Sequence, residues 1–332
     1  MRYFGSKVSI IETFYDLVSR RVSSGSFCDP FGGIGSVGSY FRSKGYSVWS
    51  GDILKFTHFF QIARLKFSKP LTFKTVIGKL GLINRNHLVD VLNSVAPRNG
   101  WFVKEYSEKR RFFTNQNAWK IQACRRTVMA WAKKRWLSYD EHAVLLASLI
   151  NSMDKVANTA GTYYSYLKRW HRKALKDFRF ELILPVSSAG KGYCFHEPAN
   201  ALVKRRHYDI LYLDPPYNQR SYAHYYHLPE TIAQEKTPKV NGISGIPREI
   251  LAISEFNRPR EARYALMDLL NHASFKLLAF HYADNGIITP EEVRGILSSY
   301  GKIEDFLLDS KGYTTEKRPR RFKHHLYLVQ NA

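Results

Sequence analysis

Acidic residues are scarce in this 332-residue chain. Asp and Glu number 28 against 51 Lys and Arg, a net charge of +23. Such a field repels cationic partners, attracts polyanions and speeds their encounter. Cysteine is scarcer still. Cys28, Cys124 and Cys194 lie far apart and form no C-x-x-C pair. A disulfide framework and a cysteine-built zinc site are excluded, and a reduced, cytoplasmic setting fits. No apolar run approaches the length of a membrane-crossing helix. The opening residues are not followed by a signal-peptide apolar region. With no lipidation signal and no strong basic amphipathic helix, a membrane surface is not the expected polyanion. Internal repeats and low-complexity tracts are also missing.

What is present is 44% hydrophobic residues, enough for one large or two modest domains. Aromatics make up 14% of the chain, many of them among basic residues. Cations interleaved with flat faces favour nucleic acid over membrane.

One stretch organises the rest: Asp214-Pro215-Pro216-Tyr217. It follows the apolar run Tyr208 to Leu213, which reads as a buried strand. Two prolines supply no ladder hydrogen bonds, so the strand stops at Asp214. Their fixed φ angles present a carboxylate, peptide carbonyls and the Tyr217 ring on a stiff frame. An aminated purine offers the complement, two N–H donors and a flat ring. A plain strand end with a packed tyrosine would read the same way in isolation.

Upstream, Ser26-Phe27-Cys28 reads as a strand ending at Asp29-Pro30. The loop Phe31-Gly32-Gly33-Ile34-Gly35-Ser36-Val37-Gly38 follows, then a helix through Arg42, then a strand from Tyr46 closing at Gly51-Asp52. Gly33, Gly35 and Gly38 match G-x-G-x-x-G in the strand–loop–helix–strand context that the motif requires. Glycines let a ligand approach the backbone, and Asp52 at the second strand end suits ribose hydroxyls. NAD and S-adenosylmethionine both carry adenosine. Asp29, ahead of the glycines, would repel a pyrophosphate and welcome a cationic amino group, which favours S-adenosylmethionine.

Residues 7–21 read as a helix. Residues 65–180 are helix-compatible, basic and aromatic, as in Lys109-Arg110-Arg111-Phe112, Lys133-Lys134-Arg135-Trp136 and Lys168-Arg169-Trp170, with a loop near Pro97 to Gly100. A nucleic-acid groove and a helical subdomain with solvated basic faces both fit this composition. The sheet is expected to resume over Phe178 to Leu184 and at Tyr193 to Phe195. A helix-like stretch from Tyr222 to Ile232 comes next, then a loop-rich segment from Thr237 to Arg260. Ala262 to His272 reads as helix and Phe275 to Phe280 as buried strand. Thr289 caps a further helix with Pro290 at its first position. A basic turn, Arg318 to Lys323, leads to a last strand over His325 to Val329. The lone His224, His227 and His281 lack metal-ligand spacing and read as packing residues.

Taken together, these motifs resemble the DNA adenine-specific methyltransferases of the Dam-like group, where a cofactor motif, an inserted target-recognition domain and D-P-P-Y follow in this order. Phe4-Gly5-Ser6-Lys7 resembles the N-terminal motif that wraps the cofactor. Asp29 to Gly38 resembles the cofactor loop, and Gly51-Asp52-Ile53 the ribose motif. Tyr212 to Tyr217 with Asn218, Arg220 and Tyr222, then Tyr226-His227-Leu228 and Glu230 to Ala233, is closest to the branch found with restriction–modification systems. The resemblance spans the chain to about residue 330. Two positions depart: Glu197-Pro198-Ala199-Asn200 stands where that branch has Asp-Ala-Asn, and His281-Tyr282-Ala283-Asp284 replaces a Ser-Tyr-Asn-Asn-like motif.

The resemblance implies an α/β fold: a Rossmann-like S-adenosylmethionine-dependent methyltransferase sheet with an inserted, mainly helical target-recognition domain. The boundaries would be 1–64 and 178–332 for the catalytic domain and 65–177 for the insert. It implies transfer of a methyl group from S-adenosylmethionine to the exocyclic amine of a flipped adenine. Asp214, Pro215, Pro216 and Tyr217 would be catalytic, and Asn218 and Tyr282 would meet the base. Tyr3, Phe4, Gly5, Lys7, Asp29, Phe31, Gly33, Gly35, Asp52, Glu197 and Asn200 would hold the cofactor. Arg220, Arg110, Arg111, Lys133, Lys134, Arg135, Lys168 and Arg169 would contact DNA, and no metal is required. Double-stranded DNA is the implied partner of a monomeric enzyme, with a cognate restriction endonuclease where a restriction–modification pair exists. The rivals are an RNA adenine methyltransferase, an NAD-dependent oxidoreductase and a silent DNA-binding protein.

Overall fold

A computed structural model describes residues 1–5, 7–249, 252–311 and 321–330. The chain forms two compact units. One comprises Met1–Phe4, Ile62–Pro185 and Tyr222–Leu251, the other Gly5–Gln61, Val186–Ser221 and Ala252–Ala332.

The second unit is an α/β sheet with flanking helices. Its strands are β1 (Ser26–Asp29), β2 (Ser47–Asp52), β3 (Gly192–His196) and β4 (His207–Leu213). The first unit carries a separate small hairpin, β5 (Val240–Asn241) and β6 (Ile246–Pro247). Three long strands complete the sheet: β7 (Ser274–Ala283), β8 (Lys302–Lys311) and β9 (Arg321–Gln330). The order is β3-β2-β1-β4-β7-β9-β8. The pairs β1–β2, β1–β4, β2–β3 and β4–β7 are parallel, whereas β9 runs antiparallel to β7 and β8. From β1 the chain winds outward to β2 and β3, then returns to place β4 on the other side. The strand order therefore reverses between β1 and β4, where open parallel sheets place their ligands, beyond the carboxyl ends.

Both faces of the central strands are buried, as parallel strands require. On one face Tyr212 of β4 packs against Phe14 at 4.7 Å, and Phe27 stacks on Phe41 at 3.9 Å. Leu211 and Leu213 point to the opposite face, into a cluster with Leu266, Leu269, Phe280, Val293 and Leu297. Each such fully buried side chain contributes about 1.5–3 kcal/mol. Thr289 caps the helix Pro290–Leu297 as the sequence predicts, and Glu292 completes a capping box with it. The helix Ala262–His272 also lies where expected.

Several expectations need correction. The helix predicted over 7–21 spans only Ile11–Ser19, because residues before it form a turn closed by Ile10 N–H donating to the Lys7 carbonyl. No strand forms over Phe178 to Leu184. Side chains rather than a neighbouring strand satisfy its amides: Phe178 N–H donates to Asn117 Oδ1, Phe180 N–H to Asn93 Oδ1, Glu181 N–H to Ser152 Oγ and Ile183 N–H to Ser148 Oγ. The segment lies as a strap across the helices of the first unit. The edge strand β8 was not anticipated. Of the expected basic turn, Arg318 to Arg320 lie outside the described residues.

Within the first unit the principal helices are Lys74–Lys79, Arg85–Ser94, Asn115–Lys133 and Tyr139–Asp154. From Lys155 to His171 the chain is turns and coil rather than helix. No helix among the described residues is long and apolar enough to cross a membrane.

Candidate active site

At the carboxyl edge of the sheet three strands end in acids: Asp29 on β1, Asp52 on β2 and Asp214 directly after β4. Phe27 pairs with Ile210 and Cys28 with Leu211, so the parallel register brings the ends of β1 and β4 side by side. The strand does stop at the Pro215-Pro216 pair. Lys7 Nζ meets Asp214 Oδ2 at 2.6 Å and also donates to the Gly5 carbonyl at 3.1 Å. Lys7 is only 6% exposed and the Asp214 side chain 19%. Burial raises the Asp214 carboxyl above the usual carboxylate range, and the Lys7 ammonium pulls it back.

Asp29 is in a harsher position. Burial, and next the Asp214 charge, push its carboxyl well above the ordinary value; Asp52 adds to the rise, and the Phe31 amide and Lys7 oppose it. Its Oδ1 is buried with no hydrogen-bond partner. A buried, unpaired carboxylate oxygen is costly and marks a place for a missing donor.

The glycine loop is built around positive φ angles, 51° at Gly33 and 77° at Gly35, which side-chain-bearing residues rarely adopt. Gly35 opens the helix Ser36–Ser43. Asp52 fastens the loop, accepting from Gly33 N–H at 3.1 Å and from Leu54 N–H at 2.9 Å. Gln61 Nε2 donates to the Gly33 carbonyl at 2.9 Å. Phe31 lies edge-on to Phe256 at 5.0 Å. A ligand carrying adenosine and a cationic amino group suits this set: Asp29 would gain the donor it lacks, and Asp52 would meet hydroxyls.

Tyr217 forms a wall beside the acid. Its ring stands edge-on to Tyr282 at 6.2 Å and to His324 at 5.7 Å. Ile287 N–H donates to the Tyr217 carbonyl at 2.9 Å, and Ile288 N–H donates to Tyr282 Oη at 3.2 Å. Asn218 Oδ1 accepts from Arg220 N–H at 3.0 Å, and Asn257 Nδ2 donates to the Asn218 carbonyl at 2.8 Å. Sequence reasoning missed Asn257, which ties down this turn, and His324. It read His281 as a packing residue. His281 and His324 cross at 5.1 Å and 90°, each with a buried ring nitrogen lacking a partner. Burial, then Lys7, depresses both imidazoles, His324 to about 4, so both are neutral at neutral pH. The signal available was their place at the rim of the sheet; only the β7–β9 register makes them neighbours.

The other expected cofactor residues have partners within their own units. Glu197 is engaged by Arg205 through two bonds of 2.8 Å. Asn200 Nδ2 donates to Asp268 Oδ2 at 2.6 Å and to the Ala265 carbonyl. Tyr3 and Phe4 belong to the first unit. There Tyr3 stacks on Tyr226 at 5.0 Å, and Phe4 N–H donates to Tyr226 Oη at 2.6 Å.

Of the expected DNA contacts, Arg111, Lys133, Lys134, Arg135, Lys168, Arg169 and Arg220 are exposed. Arg110 is not. It is 9% exposed, pairs with Glu105 at 2.8 Å and donates from Nε and Nη2 to the Gly242 carbonyl. It is a clamp inside the first unit rather than a free surface cation.

The chain matches the family model of D12 class N6 adenine-specific DNA methyltransferases over residues 3–296. Among curated proteins it is 30% identical over 323 residues to type II methyltransferase M.FokI of Planomicrobium okeanokoites, covering 96% of this chain and 50% of that one. Modification methylase LlaI of Lactococcus lactis subsp. lactis is 32% identical over 302 residues, covering 88% and 48%. Type II methyltransferase M.NlaIII of Neisseria lactamica is 29% identical over 332 residues, covering 97% and 95%. The chain thus spans about half the length of M.FokI and LlaI. With the β1 and β4 acids, the glycine loop and the D-P-P-Y turn in one sheet, the protein belongs to the D12 class N6 adenine-specific DNA methyltransferase family.

Proposed function

We propose that the protein transfers a methyl group from S-adenosylmethionine to the exocyclic N6 amine of an adenine extruded from duplex DNA, as the modification enzyme of a restriction–modification pair. The observation that carries this reading is the Asp214 turn at the strand-order reversal, on the strand that pairs with the one ending in Asp29 and its orphaned oxygen, in a chain of this family.

The cofactor, when bound, supplies an electrophilic methyl on a sulfonium. Asp29 would hold its amino group, Lys7, Phe31 and the Gly33–Gly35 loop its flanks, and Asp52 its ribose. The base in a duplex is unreachable, and extruding it costs roughly a few kcal/mol. Tyr217 stacks on the extruded ring, which contributes about 1–3 kcal/mol. Asp214 Oδ1 and the Pro215 carbonyl accept the two amine hydrogens, which directs the nitrogen lone pair away from them. Asp214 also stabilises positive charge growing on that nitrogen, and the proton lost afterwards leaves through the same carboxylate. Tyr282 forms the facing wall. In this reading the helical stretch around 65–177 is the recognition insert. Exposed Arg111, Lys133, Lys134, Arg135, Lys168 and Arg169 there, with Arg220 beside the catalytic turn, serve as phosphate contacts.

The test is methyl incorporation from labelled S-adenosylmethionine into unmethylated plasmid DNA and, separately, into RNA. Parent protein is expected to label DNA, in adenine. Asp214→Ala is expected to stay folded, as its circular dichroism would show, and to lose transfer. Labelling of RNA alone, or full activity in Asp214→Ala, would overturn the reading.

A further inference from the structure

Ile243 stands at the tip of the β5–β6 hairpin, 78% exposed. A lone aliphatic residue on a slack loop would call for no explanation, but this tip is built. Gly242 and Gly245 flank the apex, each with φ +66°. Arg110 reaches the Gly242 carbonyl with two nitrogens, and Glu105 holds Arg110 in turn. Buried Tyr106 Oη donates to the Gly245 carbonyl at 2.8 Å, and Ser244 Oγ donates to the Tyr164 carbonyl. A Cβ on Gly245 would fall 2.7 Å from the Arg110 guanidinium, so the fit leaves no slack. These bonds hold the backbone of the tip and leave the Ile243 side chain exposed.

Cations frame it. At the hairpin base Arg248 N–H donates to the Lys239 carbonyl at 3.0 Å, which sets Lys239 and Arg248 across from one another, both exposed. The surrounding stretch 62–185 carries 24 Lys and Arg against 8 Asp and Glu. One isoleucine at the tip of a hairpin with a basic base is far too small for an apolar protein interface. It is the right size to enter a base-pair step while the cations meet the phosphates on either side.

We propose that Ile243 is an apolar wedge that inserts between stacked base pairs of duplex DNA, and that the Arg110–Glu105 and Tyr106 clamps exist to keep it rigid. The inference rests on the DNA-modifying reading above and adds to it a residue that loosens the stack. Unstacking the step lowers what extrusion of the neighbouring base requires.

The test separates the wedge from catalysis. Closed circular plasmid DNA is relaxed with a topoisomerase in the presence of the full chain without cofactor, and the linking number is read after deproteinisation. Parent protein is expected to shift the topoisomer distribution. At equal bound protein, Ile243→Ser should shift it about ten-fold less, and Ile243→Leu as much as the parent. Melting temperatures of all three should agree closely, since the residue is largely exposed. Methyl incorporation in Ile243→Ser should fall roughly ten-fold and recover on DNA whose methylated adenine, once mapped, faces an abasic partner. Equal topoisomer shifts for Ile243→Ser and parent, or none for the parent, would overturn the wedge whatever the transfer assay shows. A parent that shifts topoisomers but labels no DNA would instead sink the catalytic reading alone.

Discussion

Lys7 and Asp214, 207 residues apart in the chain, form a 2.6 Å ion pair at the end of the central strand. The pair restrains a carboxyl that burial alone would push further up. Lys7→Gln removes that restraint, so the Asp214 carboxyl should rise further. An acid raised in the folded state is penalised as pH climbs through its ordinary value toward the raised one, and the penalty is absent in acid. The variant should therefore match the parent at low pH and lose roughly 2–3 kcal/mol at neutral pH, less than a fully buried pair loses because Asp214 keeps partial exposure. Melting temperature against pH checks this. The acid limb of kcat/KM should move to higher pH.

Asp29→Asn should give the opposite result in stability. The raised Asp29 carboxyl destabilises the fold as pH rises above its ordinary value. The amide carries no charge to desolvate, so the melting temperature at neutral pH should rise by roughly a few degrees. The same variant should lose the stabilisation that S-adenosylhomocysteine gives the parent. Calorimetry in two buffers of different ionisation heat should show the parent releasing a proton on binding, with affinity rising as pH increases.

Tyr217→Phe should keep transfer within about three-fold, because the ring face stacks rather than the hydroxyl. Tyr217→Ala should raise KM for DNA by roughly ten-fold or more, the loss of one stacked base. Steady-state kinetics with plasmid substrate distinguish the two. Equal effects in both variants would count against stacking.

Arg110→Met leaves the Gly242 carbonyl without its two donors and Glu105 with Lys109 as its remaining ion-pair partner. A loss of about 1–3 kcal/mol is expected, visible as a lower denaturant midpoint. Phosphate contacts would be unaffected, so the salt dependence of DNA binding should keep its slope.

Much of the sheet was legible because Asp-Pro and Gly-Asp punctuate its strands at Asp29, Asp52 and Asp214. Local chemistry also marked the Thr289 cap. The misreadings share one physical origin. Phe178, Phe180, Leu182 and Leu184 alternate as a strand would, but whether a strand forms depends on where its amides find acceptors. Here those are Asn93, Asn117, Ser148 and Ser152 on helices far away in the chain. Arg110 sits in a basic run like its neighbours, and only the carbonyl at Gly242, 132 residues on, makes it an internal clamp. β8 mixes acids and lysines with its apolar residues, which suits an edge and hides the period. His281 and His324 become neighbours through an antiparallel register that neither segment announces.

The strap over 178–183 has a consequence for how the first unit assembles. Its four amides are satisfied by side chains from three helices, Arg85–Ser94, Asn115–Lys133 and Tyr139–Asp154. Until all three have docked, those donors stay hydrated. The strap therefore locks last, and its amide protons should exchange together, in a single opening shared with the helices that it binds.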